Sequence, residues 1–331
     1  MNKKKKAIFY ITGSIAALLL LVLGTLFLFP YLETVSAKPT ETSSEWMKQI
    51  TDEASLQEIV LPGTHDSATA YVQLPYFMRC QSLTVGEQLE AGYRYLDIRL
   101  NEESGKLYFY HSFARCKTGM GPWAKALDLE NVLEQVYTFL EGHPTETVLF
   151  VVKQEGSGNV ALFQKTLQAY IEKHPERWLL TDRVPALGEA RGKIVLFRRY
   201  ADDAGLKEQA GIALNWSDQG GAKLQTNYLE AEVRDGVTFY IQDRYNYTVE
   251  DKKTGMEEAL HLAKEFADGG IRIHFASTAG PNSLHHPYNI AKKMNAWFLD
   301  KNFDGKLGWV IFDHGDAKLA ESVYRLNFVT E

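Results

Sequence analysis

Eight short apolar runs recur along this chain: Gln57–Leu61, Tyr95–Leu100, Leu107–Tyr110, Thr147–Lys153, Lys193–Arg198, Thr238–Gln242, Gly270–Phe275 and Trp309–Phe312. Runs of this length, rich in β-branched residues and bounded by turn formers, read as buried strands. Helical stripes separate several of them. Leu129, Val132, Leu133, Val136, Tyr137 and Leu140 fall on one helix face, as do Phe163, Leu167, Tyr170 and Ile171, and Met256, Leu260, Ala263 and Ala267. Stripes at this spacing are far more often core than cofactor contacts. Strands alternating with helices predict an α/β fold, and eight of them predict a (β/α)8 TIM-type barrel, distorted where helices are missing. A doubly wound sheet is the alternative, but no glycine-rich phosphate loop follows the first strand.

The amino terminus sets the compartment. Lys3 to Lys6 precede Ala7 to Phe29, a stretch without a single charge. A basic flank before an apolar run is shared by signal peptides and signal anchors. The length favours a retained anchor, whereas Val35-Ser36-Ala37 offers a small-residue cleavage site. Both readings assign residues 1–37 to export, 38–50 to a polar linker and 51–331 to one catalytic barrel on the extracellular side, secreted or anchored to the cell membrane. Cys80 and Cys116 lie in the exported part, where a disulfide is permitted but not required.

Charge narrows the partners. The 331 residues carry a net charge of −6; without the four amino-terminal lysines, 32 basic side chains face 42 acidic ones, a net of −10. Such a body is unsuited to nucleic-acid binding through bulk charge.

Titratable residues collect at the carboxyl ends of the strands, where parallel α/β folds build their sites. The first run leads into Leu61-Pro62-Gly63-Thr64-His65-Asp66-Ser67, in which Pro62 and Gly63 are expected to end the strand and present His65 and Asp66 on a turn. The second carries Asp97 and Arg99 on one side by period-2 alternation. The third, fourth, fifth, sixth and eighth end in His111, in Lys153-Gln154-Glu155, in Arg198-Arg199, in Asp243-Arg244-Tyr245 and in Asp313-His314. A charge in an apolar strand is costly unless paired or functional, and six strands with charges at one end point to a polar barrel mouth. Two histidines, several carboxylates and two or three cations, with no nucleophilic cysteine, suit acid–base chemistry on an anionic substrate.

Seven segments in order, LPGTHDSAT, YLDIRL, the histidine after LYFY, HPTETVLFVVKQE, RGKIVLFRRY, IQDRYNY and GWVIFD, resemble the bacterial phosphatidylinositol-specific phospholipases C of the PLC X-domain family. The resemblance implies a distorted TIM barrel and a secreted enzyme. It also implies cleavage of phosphatidylinositol to diacylglycerol and inositol 1,2-cyclic phosphate by attack of the inositol 2-hydroxyl. By motif, His65 corresponds to the general base, Asp313 to the carboxylate that orients it, and His111 to the general acid assisted by Asp66. Arg99 corresponds to the phosphate ligand, with Asp97 beside it. Lys153, Arg199, Asp243 and Tyr245 correspond to inositol contacts, with Trp216 on the same wall. Arginine at 99, where calcium-dependent relatives place an acid, implies catalysis without a metal or other cofactor. The expected partner is phosphatidylinositol at a membrane touched transiently by a monomer, with no nucleic acid. His314 departs from the family pattern, and Arg244 interrupts the inositol motif.

Competing readings have specific weaknesses. Asp300-Lys-Asn302-Phe-Asp304-Gly305 resembles the start of an EF-hand loop, but position twelve is Ile311. A glycerophosphodiester phosphodiesterase would want an acid where Arg99 stands. An inactive lipid-binding module would be expected to have lost a catalytic histidine or its carboxylate. The apolar stretch 70–78 is expected to pack rather than to enter a lipid interface.

Overall fold

The computed structural model describes residues 3–121, 123–221, 230–265, 269–281 and 286–329. Its strands are β1 (Leu61–Thr64), β2 (Tyr95–Glu103), β3 (Lys106–His111), β4 (Ala114–Arg115), β5 (Val148–Gln154), β6 (Trp178–Leu179), β7 (Ile194–Arg198), β8 (Ile212–Ala213), β9 (Glu230–Arg234), β10 (Val237–Gln242), β11 (Ile271–Phe275) and β12 (Trp309–Phe312). A parallel path runs β6-β7-β5-β2-β1-β12-β11-β10, with β8 parallel beside β7 and β9 antiparallel on β10. Among the described residues no ladder joins β8 to β9 or β10. Side chains span that gap: Arg199 Nη2 lies 3.8 Å from Asp243 Oδ2, and Trp216 Nε1 donates to the same carboxylate at 3.0 Å. The result is a distorted TIM-type barrel.

Period-2 alternation divides the core into two layers. Tyr95, Leu149, Val151, Val195, Phe197, Phe239, Ile241, Ile273, Trp309 and Ile311 fill the barrel interior in one buried cluster. Leu96, Ile98, Leu100, Phe150, Val152, Ile194 and Leu196 face outward into a second cluster. That outer layer meets the helices Leu129–Gly142 and Val160–Ile171, which bury the stripes seen in the sequence. Asp128 caps the first by accepting from the Asn131 amide, and Asn159 caps the second by accepting from the Leu162 amide. The third expected stripe forms the helix Val249–Glu265, with Met256, Leu260 and Ala263 buried; Ala267 lies outside the described residues. Two further helices, Pro287–Lys301 and Ala317–Tyr324, complete the carboxyl-terminal half.

Three expectations need correction. The first strand is Leu61–Thr64, not Gln57–Leu61, so Pro62 and Gly63 lie within it. Leu61 and His65 donate their amides to Gly308 and Phe312 on the β12 side, whereas Pro62 faces β2 and needs only its carbonyl, which accepts from Arg94. Gly63 is required for space: a Cβ there would lie 2.8 Å from Tyr95 Cβ and 3.0 Å from Ile311 Cγ1. The run at Leu107–Tyr110 is not a barrel stave, because β3 folds back antiparallel on β2 and pairs with β4. The polar stretch 38–50 is not a free linker over its second half. Ser43, Trp46 and Met47 are fully buried, and Trp46 Nε1 donates to Gly92 O at 3.0 Å.

Stretch 70–78 packs only in part: Ala70, Val72 and Pro75 are buried, whereas Tyr71, Leu74, Tyr76, Phe77 and Met78 are half-buried and Gln73 is exposed. The EF-hand look-alike is engaged elsewhere: Asp304 pairs with Lys264, and Asn302 accepts from Arg325. Cys80 and Cys116 are buried free thiols.

Candidate active site

The inward parity of six strands builds the site. Leu61-Gly63-His65, Tyr95-Asp97-Arg99, Leu149-Val151-Lys153, Val195-Phe197-Arg199, Phe239-Ile241-Asp243 and Trp309-Ile311-Asp313 each begin apolar inside the barrel and end polar at its carboxyl mouth. The cleft there has a volume of about 580 Å³ and is lined by His65, Arg99, His111, Lys153, Arg199, Trp216, Asp243, Tyr245 and Asp313, among others. Asp66 and Asp97, 2% and 0% exposed, sit beneath and contact the lining residues. All eleven residues singled out in the sequence therefore meet around one cavity.

His65 is held from two sides. Its Nδ1 lies 2.8 Å from Asp313 Oδ1, and its Nε2 lies 3.5 Å from Asp66 Oδ2. A carboxylate at Nδ1 requires the proton there, which leaves the Nε2 lone pair facing the cleft. Burial pulls the His65 pKa down, but the Asp313 and Asp66 charges outweigh burial and Arg99, and the net shift is upward from 6.5.

His111 reaches the mouth from the β3–β4 hairpin. Its Nδ1 lies 2.9 Å from Met78 O, so that nitrogen donates, and its Nε2 lies 3.4 Å from Asp66 Oδ2. The two imidazoles stand edge to face with centroids 6.1 Å apart. Asp66 takes a left-handed backbone at φ +45°, which Asp tolerates better than most residues, and its amide donates to Asp97 Oδ2 at 3.1 Å. Its Oδ2 is buried without a hydrogen bond of good geometry, yet faces His65, His111 and Arg99.

Arg99 is a fixed cation. Its guanidinium approaches Asp66 at 3.1 Å, Asp97 at 2.9 Å and Glu155 at 3.3 Å, leaving 13% of the side chain exposed toward the cleft. Burial opposes its charge, but these carboxylates raise its pKa above the usual arginine value. Burial likewise opposes the Asp97 carboxylate, and Arg99 and Arg199 together hold its pKa below the usual range. The far wall is aromatic and basic: Arg199 stacks 3.5 Å over the Trp216 ring, and Tyr245 donates to Asp218 at 2.7 Å. Burial also drives Lys252, behind this wall, down to a pKa of about 7.

Two residues beside the cleft received no role from the sequence: Glu155, noted only as part of a strand end, and Asp218, not noted at all. Glu155 bridges Arg99 and Lys153 at 3.3 and 3.2 Å; it shares the parity of Lys153, so the alternation rule would have found it. Asp218 lies in the segment after β8, where no periodic signal exists. Arg198 has the opposite parity to Arg199 and turns away from the cleft to pair with Asp235. Arg244 is fully buried and does not line the cavity. His314 supports the rim from behind, with Nδ1 on Ser82 Oγ and Nε2 on Arg79 O, each at 2.8 Å.

Comparisons with known proteins agree with this architecture. The PI-PLC X family model ("PI-PLC X 1") matches residues 53–209. The 1-phosphatidylinositol phosphodiesterase of Staphylococcus aureus (strain Newman) is 23% identical over 303 residues, covering 83% of this chain and 89% of that protein. The protein of the same name from Listeria monocytogenes is 30% identical over 170 residues, covering 48% of this chain and 50% of its own length. A crystal structure of the Staphylococcus aureus phosphatidylinositol-specific phospholipase C superposes with a TM-score of 0.69 at 21% identity, over 86% of this chain and 97% of that one. The Listeria monocytogenes phosphatidylinositol-specific phospholipase C superposes with a TM-score of 0.63 at 21% identity, over 86% and 98%. Motif order, family model and barrel converge: residues 53–209 match the PI-PLC X model, and along most of its length the chain is similar in sequence and in fold to the bacterial phosphatidylinositol-specific phospholipases C.

Proposed function

We propose that the protein is a phosphatidylinositol diacylglycerol-lyase, a phospholipase C that cleaves phosphatidylinositol to diacylglycerol and inositol 1,2-cyclic phosphate. The observation that carries this reading is the pair of histidines with ring centroids 6.1 Å apart, Asp313 on His65 and Asp66 between the two rings, over one arginine.

The chemistry follows from the ring nitrogens. His65 Nε2 accepts the proton of the inositol 2-hydroxyl while its oxygen attacks phosphorus. The bond from phosphorus to the glycerol oxygen breaks, and His111 Nε2 delivers a proton to that oxygen. The imidazolium formed on His65 is stabilised by Asp313, and the one that starts on His111 by Asp66. Because the nucleophile belongs to the substrate, no attacking water is needed and the effective concentration is high. Arg99 neutralises the phosphate with a planar donor pair, suited to two oxygens. Lys153, Arg199, Asp243 and Tyr245, with Trp216 behind Arg199, offer donors and acceptors to the ring hydroxyls, and Asp97 anchors both arginines.

Arg99 already fills the space among Asp66, Asp97 and Glu155 with positive charge, which supports a reaction that needs no divalent cation. Helix α1 (Lys3–Phe27) contains a 19-residue apolar stretch, Phe9–Phe27, and with the basic flank it supports action on the outer face of the membrane. The test is turnover of phosphatidylinositol micelles by the folded protein: formation of a cyclic phosphodiester supports the reading, and an untouched headgroup refutes it.

A further inference from the structure

Beyond α1 the chain does not run free to the barrel. It turns through a short helix, Phe29–Leu32, and lays residues 30–35 on the rim that carries the cleft. Arg79, 4% exposed, is the grip. Its Nε donates to Ala70 O at 3.0 Å, its Nη1 donates to Pro30 O and to Glu33 O at 2.8 Å, and its guanidinium lies 5.2 Å from the Tyr31 ring centroid. Tyr31 OH donates to Val72 O at 3.0 Å, and Ser82 Oγ donates to Glu33 O at 3.3 Å. The Glu33 carboxylate pairs with His286 Nε2, while the His286 ring stacks on Tyr76 at 4.4 Å. Phe77, Met78 and Pro287, the immediate neighbours of these gripping residues, line the cleft.

Removal of the segment would be costly. Cleavage after Ala37 takes away two of the carbonyls around a buried guanidinium and the carboxylate on His286. Leaving a buried cation short of partners is among the more damaging changes a fold can suffer. The span preceding the strap has the right length: 19 apolar residues rise about 28 Å, against a hydrocarbon core of about 30 Å. The junction continues the apolar surface onto the rim, since Leu28, Phe29 and Leu32 are 51%, 47% and 69% exposed. Phe113, next to cleft-lining Ser112, is 67% exposed.

We propose that residues 1–37 are retained and that the 30–35 strap turns the cleft mouth toward the bilayer holding α1, so that the protein acts on inositol lipids of its own membrane. The orientation stands without the phosphodiesterase reading; the preference for lipids of the same membrane rests on it.

The test uses the full chain. In membranes of the expressing cell, peptide mass analysis is expected to find residues 3–37 on the mature protein, and a mature chain beginning at Lys38 overturns retention. In proteoliposomes, a fluorophore on F113C, selective because both native thiols are buried, is expected to be quenched by brominated lipids. R79Q should reduce that quenching several-fold, and Y31F with E33Q provides the same test should R79Q fail to fold. Absence of quenching in the parent chain overturns the orientation. Phosphatidylinositol in the same vesicles should be cleaved at least ten-fold faster than in added vesicles. R79Q should narrow that ratio while turnover of a water-soluble inositol phosphodiester stays unchanged. Equal rates in both vesicle populations overturn the same-membrane preference. Quenching with no turnover of any inositol phosphodiester keeps the orientation and removes the phosphodiesterase reading instead.

Discussion

His65 and Asp313 stand 248 positions apart in the chain, yet His65 Nδ1 lies 2.8 Å from Asp313 Oδ1. The contact follows from β1 and β12 being parallel neighbours in register, Thr64 beside Phe312, so the next residue of each strand emerges at the same height of the mouth. Closing the barrel therefore brings the His65 imidazole and the Asp313 carboxylate together.

His65→Ala removes the nitrogen to which the proposed mechanism assigns the 2-hydroxyl proton. Turnover is expected to fall about 10²–10⁴-fold, the usual worth of a positioned general base. The near-ultraviolet circular dichroism should stay as in the parent protein, because the ring is at the cleft and not in the core. A variant that keeps more than a tenth of the parent rate would take His65 out of the mechanism.

Asp313→Asn tests the pairing through pH. The base must be neutral, so kcat/KM rises as pH rises through the His65 pKa, and that limb is expected above 6.5. Asp313 is the largest of the charges that raise it, so the asparagine variant should move the limb to lower pH while lowering the plateau. A pH–rate profile of parent and variant measures both. An unmoved limb would mean that another group controls it.

Arg99 should make divalent cations dispensable. Strong chelation is expected to leave the rate unchanged, whereas Arg99→Lys should cost roughly 10²-fold because an ammonium cannot span two phosphate oxygens or hold three carboxylates in the same geometry. Loss of activity in chelator, restored by Ca²⁺, would contradict the assignment of the positive charge to Arg99.

Acid should weaken the fold through two buried histidines to which the mechanism assigns no proton transfer. Burial holds His274 at a pKa of about 3 and His314 at about 4, both below the ordinary 6.5. A depressed folded-state value contributes stability above pH 6.5 that is lost as pH falls toward the folded value, because the unfolded chain then binds protons that the native one refuses. His65 shifts the other way and is charged in both states below 6.5, so it adds little to the slope there. Urea unfolding at pH 6.5 and 5 should show a loss of about 1–3 kcal/mol. Equal or greater stability at pH 5 would show that these imidazoles are not held neutral.

Much of this site was legible in the sequence because parity does the placing. Once Asp97 and Arg99, or Lys153, is assigned to the mouth of a strand, alternation fixes which neighbours share its side. The same rule separates Arg199 in the cleft from Arg198 outside it. Errors arose where backbone needs differ from residue preference. Pro62 and Gly63 look like strand breakers, but the first faces a neighbour that requires no amide and the second sits where Tyr95 and Ile311 leave no room for a Cβ. The Leu107–Tyr110 run has the composition of a barrel strand, and nothing local reveals that a tight turn at Ser104-Gly105 folds it back on β2. The burial of Trp46 and the grip of Arg79 on Pro30 and Glu33 depend on contacts across 46–49 residues, which no periodic pattern encodes.

The most direct measurement is phosphorus NMR of the protein incubated with phosphatidylinositol micelles in excess chelator. The phosphodiester resonance of the lipid is expected to disappear while that of a five-membered cyclic phosphate grows, and His65→Ala is expected to abolish the change. A folded protein that leaves the lipid signal intact, or releases phosphoinositol without a cyclic product, would contradict the proposed reaction.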